Sequence, residues 1–110
     1  MCNSNSGHCC PPAQIIQEQF CGNFQGPLTA EIVWSAPAGS YIAGTFEITN
    51  SASSVATVTG AGTAGTAIAL SALPGNSDSQ SVNQPTNFTI TAGTGDSGQY
   101  CIILYKRILA

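Results

Sequence analysis

At 110 residues the chain has room for one domain and one core. Only 6% of its residues are charged, against about 25% in an ordinary soluble domain, yet mean hydropathy is close to zero at +0.15. The net charge is −3, with Lys106 and Arg107 the only strong bases; this excludes a nucleic-acid partner, which needs many cations to displace counterions from phosphate, and the composition is too apolar for a disordered chain.

The opening MCNSNSGHCCPP is polar and lacks the apolar stretch of a secretory signal. No apolar run approaches the roughly 20 residues of a membrane span. The chain therefore reads as either cytosolic or leaving the cell by another route, such as lysis of the cell that made it. Residues 1–13 form a Cys-rich connector arm outside the fold, since Pro11-Pro12 favours stiff, extended geometry and cannot donate to a sheet. Residues 14–110 form the body.

The body reads as strands. Ile15 to Cys21 is the first, and Gly22 to Pro27 a turn. Leu28 to Trp34 alternates, with Leu28, Ala30, Ile32 and Trp34 on one face and Thr29, Glu31 and Val33 on the other. Tyr41 to Thr49 sets Ile42, Phe46 and Ile48 against Thr45, Glu47 and Thr49. Val55 to Thr59 is β-branched, Gly60 to Gly65 is a flexible loop, and Thr66 to Leu73 is a strand ended by Pro74-Gly75-Asn76. Gln80 to Val82, Asn87 to Thr91 (Phe88 and Ile90 inward) and Gln99 to Leu109 complete the set. About eight strands with turn signals every 8–12 residues, and no helical periodicity, predict an all-β, eight-stranded jelly-roll β-sandwich with an extended N-terminal connector arm.

Catalytic chemistry has little to stand on. His8 is the only histidine and lies in the arm, so a Ser-His or Cys-His pair has no rigid base. The acids are Glu18, Glu31, Glu47, Asp78 and Asp96; Glu31 and Glu47 could meet across neighbouring strands, but solvent-facing strand positions are the plainer reading. Phosphate-loop, dinucleotide, nucleophile-elbow and calcium-loop patterns do not occur. Asn87-Phe88-Thr89 fits the glycosylation pattern but falls inside a strand, a chance match. Cys2, His8, Cys9 and Cys10 are zinc-type ligands, yet adjacent cysteines chelate poorly together and no C-x₂-C spacing occurs. No enzyme activity, metal or cofactor is expected.

Five cysteines are an odd number, which suggests intermolecular pairing or a free thiol. Cys9 and Cys10 are adjacent, with Cα atoms about 3.8 Å apart where disulfides want roughly 4.4–6.8 Å, so they reach separate partners more naturally than each other. Cys21 ends the first strand and Cys101 lies in the last, and a jelly roll makes those strands neighbours. Two readings follow: an intrachain Cys21–Cys101 staple, or capture of Cys21 and Cys101 by the arm of another subunit. An extended arm from Pro12 to Cys2 spans up to about 33–36 Å, comparable to the width of a domain of this size, whose radius of gyration is near ~13 Å.

The paired cysteines in an N-terminal connector, the ten-residue spacer from Cys10 to Cys21, the eight-strand body and the C-terminal strand Gly98-Gln-Tyr-Cys-Ile-Ile-Leu-Tyr-Lys-Arg-Ile108 together resemble the endospore appendage (Ena) pilins. The resemblance implies a jelly-roll subunit that polymerises with copies of itself by sheet augmentation, as a helical filament or as stacked rings. It implies intermolecular disulfides with Cys9 and Cys10 as connector cysteines and Cys21 and Cys101 as acceptors; Cys2 is an additional candidate. It further implies a fibre on the bacterial endospore surface, made in the mother cell and held by a spore-coat or exosporium anchor protein. The competing reading is a small carbohydrate-binding or adhesin module on the spore surface, for which Trp34 would have to be exposed rather than in the core.

Edge strands polymerise unless charge or proline blocks them, and Thr66 to Leu70 and Val55 to Thr59 carry no charge, which makes them the expected docking edges. With so few charges little stability is tied to titration, so a circular-dichroism melt at pH 3 should still show a cooperative folded state; loss of the β spectrum there would contradict acid tolerance.

Overall fold

The computed structural model describes residues 13–109, and among them there is no helix. Eight strands follow in order: β1 (Ala13–Gln25), β2 (Leu28–Ser35), β3 (Ala43–Asn50), β4 (Val58–Gly62), β5 (Ile68–Ala72), β6 (Ser77–Asn83), β7 (Asn87–Ala92) and β8 (Ser97–Leu109). They form two four-stranded antiparallel sheets, β1-β8-β3-β6 and β2-β7-β4-β5. The first and last strands are neighbours, as a jelly roll requires.

The period-2 pattern places the core. Phe46 and Ile48 on β3, Phe88 and Ile90 on β7 and Ile102 and Leu104 on β8 are fully buried between the sheets. The Phe46 and Phe88 rings meet at 5.0 Å, and Trp34, half-buried, packs on Phe46 and Tyr41 at 5.7 Å each. Trp34 thus belongs to the core margin rather than to a sugar-binding platform.

Several boundaries differ from the sequence reading, each for a packing reason. β1 runs past Cys21 to Gln25 because Phe24 is buried and Gly22 lies under the Tyr100 ring; a Cβ on Gly22 would come 2.7 Å from the Tyr100 hydroxyl. Gly60 to Gly62 belong to β4, not to a loop, because Gly60 makes room for Phe88, whose ring would lie 2.9 Å from an added Cβ. Val55 is 82% exposed and precedes the strand. On β2 two register shifts interrupt the alternation, Ala30 has a positive φ of 46°, and Ile32 turns to solvent at 62% exposure. Ile32 and Trp34 therefore do not share one buried face.

At one pole the connecting loops are held by buried polar groups. Asn50 Nδ2 donates to the carbonyls of Ala56 (2.9 Å) and Ala72 (2.8 Å). Asp96 Oδ1 accepts from the backbone N–H of Val55 (2.8 Å) and Ala56 (3.3 Å), and the Ser54 hydroxyl accepts from Ser97 N–H at 3.0 Å and donates to its carbonyl at 3.1 Å. Near the other end, the Tyr41 hydroxyl donates to Glu18 Oε1 at 2.8 Å, tying the segment before β3 to β1. That hydrogen bond, then burial, then the charge of Glu18 hold the Tyr41 phenol above its usual pKa.

Asn50→Ala leaves the buried Ala72 carbonyl and the more exposed Ala56 carbonyl without their donor, and should lower the unfolding free energy by about 1–3 kcal/mol in a urea titration; a change below about half a kilocalorie would refute the role given to it. A phenol held above its unfolded pKa of about 10 contributes stability that is complete below that pH and is lost as pH rises through the folded value. Tyr41→Phe should accordingly flatten the alkaline decline of stability, read as thermal midpoint against pH from 9 to 12, and an unchanged decline would count against the Tyr41–Glu18 assignment.

Candidate assembly site: a cross-strand disulfide and the free strand edges

Strict alternation on β1 and β8 sends Phe24, Ile102 and Leu104 inward and leaves Cys21 and Cys101 on the outer face of the first sheet. The two cysteines are direct partners in the β1–β8 register, with Cα atoms 4.1 Å apart, and are joined by a disulfide within the chain. Cys21 is exposed and Cys101 half-buried. The Gln19 amide points Nε2 at the Cys21 sulfur from 3.9 Å. On the other side of β8, Glu47 of β3 is the register partner of Cys101, so Cys21, Cys101 and Glu47 form one row across three strands. Around that row the face carries uncharged polar groups, including the hydroxyl pairs Thr45–Ser81 (2.8 Å) and Thr49–Ser77 (2.9 Å).

The fold thus brings together the two body cysteines singled out in the sequence and bonds them to each other. Cys2, His8, Cys9 and Cys10 lie outside the described residues. Glu31 and Glu47 do not meet: β2 and β3 belong to different sheets, which removes the paired-carboxylate arrangement. The Asn87 side chain is engaged with Thr63, accepting from its N–H at 3.0 Å. A shallow groove between residues 23–25, Thr49, Ser51 and residues 97–99 holds no acid, base or thiol. Among the described residues no cluster of three or more His, Cys, Asp or Glu could hold a metal, and no helix is long and apolar enough to cross a membrane.

The strand edges differ from the expectation. Val58 and Thr59 lie in β4, an interior strand between β7 and β5, so the segment Val55 to Thr59 offers no edge. β5 is an edge, but side chains from β6 close it. Gln80 Oε1 accepts from Ala69 N–H (3.0 Å) and Gln80 Nε2 donates to the Ala67 carbonyl (3.0 Å), while Asp78 Oδ2 accepts from Ser71 N–H (3.0 Å). Inward-pointing polar residues on an edge strand are a recognised way of blocking pairing. The sequence reading missed Asp78 and Gln80; the signal was there, since both share the inward parity of buried Val82 while their neighbours Ser77, Ser79 and Ser81 face out. Among the described residues β1, β2 and the outer side of β6 remain as edges without a strand partner. β1 and β2 also carry exposed large apolar side chains: Ile15, Ile16 and Phe20 on β1, and Ile32 on β2.

No curated protein matches the chain. A solved structure described as Bacillus endospore appendages, a family of disulfide-linked pili, has the same fold: TM-score 0.74 and 21% identity over 94% of this chain and 97% of that one. A crystal structure of the SPBc2 prophage-derived protein YomS aligns over 81% of this chain and 95% of that one, at 14% identity and a TM-score of only 0.39, and carries no argument. The family description for endospore appendages matches residues 7–108, nearly the whole sequence. The chain belongs to the endospore appendage family.

Proposed function

We propose that this chain is the structural subunit of an endospore appendage fibre, assembled from copies of itself by β-sheet augmentation and locked by disulfides from the connector arm of one subunit to the body of another. Family membership supports a polymer-forming role at the spore surface. The partnerless edges β1, β2 and β6 supply the backbone groups for augmentation, and joining unlike edges gives a head-to-tail contact that closes into a ring or continues as a helix.

The observation that carries the covalent part is the length of β1. Its nine residues from Ala13 to Cys21 are extended, and the eight steps between them span about 26 Å at the rise of a strand. Cys10 precedes Ala13 by three residues, a chain span of only about 10 Å, and Cys9 by four, about 14 Å. Neither reaches Cys21 or its neighbour Cys101 in its own subunit. Links between Cys9 or Cys10 and Cys21 or Cys101 therefore join different subunits, and Cys2, at the far end of the arm, is the remaining candidate for a further link. On this reading the subunit forms in the mother cell, is released when that cell lyses, and meets an anchor protein of the spore coat or exosporium at the fibre base.

Negative-stain electron microscopy with and without reductant tests the function. Ordered fibres or stacks in air that separate into rings or single subunits on reduction are expected. Single subunits under both conditions would end the fibre reading. Replacing Asp78 and Gln80 together by Ala uncovers the β5 edge, and fibres of that variant should bundle or branch where the native ones do not; unchanged, unbranched fibres would show that β5 needs no closing.

A further inference from the structure

Cys21 and Cys101 are bonded to each other, yet the fibre reading asks them to accept cysteines from another subunit. We infer that the intrachain Cys21–Cys101 disulfide is the reactive precursor of the intersubunit link, opened by thiol–disulfide exchange with a connector thiolate from a second copy of the chain. This rests on the fibre reading above.

The step balances without an oxidant. A Cys10 thiol gives its proton to solvent, and the thiolate forms a new S–S bond to the Cys21 sulfur. The Cys21–Cys101 bond breaks, its electron pair leaves on Cys101 as thiolate, and that thiolate takes a proton from water. One disulfide is consumed and one is made. A second link, from Cys9 to the freed Cys101, joins two thiols and requires a two-electron oxidant such as dioxygen. Exchange thus fixes the first link as soon as two subunits meet, and oxidation after release completes the pair.

The geometry selects Cys21 as the sulfur attacked. A thiolate must approach in line with the bond it breaks. Cys21 lies on β1, which has no neighbour on its outer side among the described residues, so the line continued beyond Cys21 runs out over the edge of the sheet. Beyond Cys101 the same line crosses β3, where the Glu47 carboxylate occupies the register position opposite Cys101, with Cβ atoms of such pairs about 4.5–5.5 Å apart. Exposure agrees, Cys21 being the more open of the two. Glu47 also stands beside the departing Cys101 thiolate, and a like charge there slows the opening.

The test uses the full chain with Cys2→Ser, Cys9→Ser and Cys10→Ser, which retains only the body disulfide. It is mixed in dioxygen-free buffer at pH 8 with a peptide of residues 1–12 in which Cys10 is the only thiol. Intact mass and alkylation mapping should show a peptide adduct on Cys21 and one newly alkylatable thiol, on Cys101, per adduct. Adding Glu47→Gln should raise the rate about two- to five-fold at low salt. In parallel, the native chain should give covalent intersubunit ladders on non-reducing gels without dioxygen. Absence of both adduct and ladder, with fibres still forming in air, overturns the exchange and leaves the fibre reading intact. Absence of fibres under every redox condition overturns the fibre reading itself. An adduct on Cys101 instead overturns the assignment of the attacked sulfur.

Discussion

The pairing of β1 with β8 is the constraint on which the rest of the molecule depends. It holds the first strand to the last from Ala13 opposite Leu109 to Gln25 opposite Ser97 without a register shift. That single antiparallel ladder closes the jelly roll and buries Phe24 against the core. It sets Cys21 directly across from Cys101. Because Ala13 to Cys21 is extended over about 26 Å, Cys9 and Cys10 have too few residues before Ala13 to reach Cys21 in the same chain. One ladder therefore closes the domain and underlies the proposed links from Cys9 and Cys10 to other subunits.

The near absence of charge acquires a meaning on this frame. The outer face of the first sheet is lined by Gln, Asn, Ser and Thr, with hydroxyl pairs such as Thr45–Ser81 satisfying each other across strands. Apart from Glu47, these groups carry little of the desolvation cost that charges would add if the face were covered. Where charge does occur it is placed with consequence. Asp78 closes the β5 edge, Asp96 holds the loop at one pole, and Glu47 stands in the row of the two bonded cysteines. β5 is thus closed, while β1, β2 and β6 have no strand partner on their outer sides among the described residues, and it is through these edges that the proposed fibre extends.

Much of this was legible in the sequence. The alternation in β3 and β7 gave the core residues Phe46, Ile48, Phe88 and Ile90, and the placing of Cys21 near Cys101 followed from topology alone. What could not be read depended on side chains from distant strands. Gly22 and Gly60 look like turn residues until Tyr100 and Phe88 are seen lying over them. The bulges of β2 arise where its backbone adjusts to β7, and local periodicity carries no trace of them. The β5 edge looked open because its own residues are uncharged, whereas the groups that close it come from β6. The choice between a staple and an intersubunit link at Cys21 and Cys101 was equally beyond local pattern, since both need the same proximity.

The central claim is that cysteines of the arm bond to the body of another subunit. Equal amounts of ¹⁴N- and ¹⁵N-labelled chain, mixed before assembly, digested without reduction and mapped by mass spectrometry, test it directly. The account predicts disulfide-linked peptide pairs joining the Cys9-Cys10 segment to the Cys21 or Cys101 segment, half of them carrying one light and one heavy partner. Assembled material containing only Cys21–Cys101 pairs, with both partners of the same isotope, would contradict it.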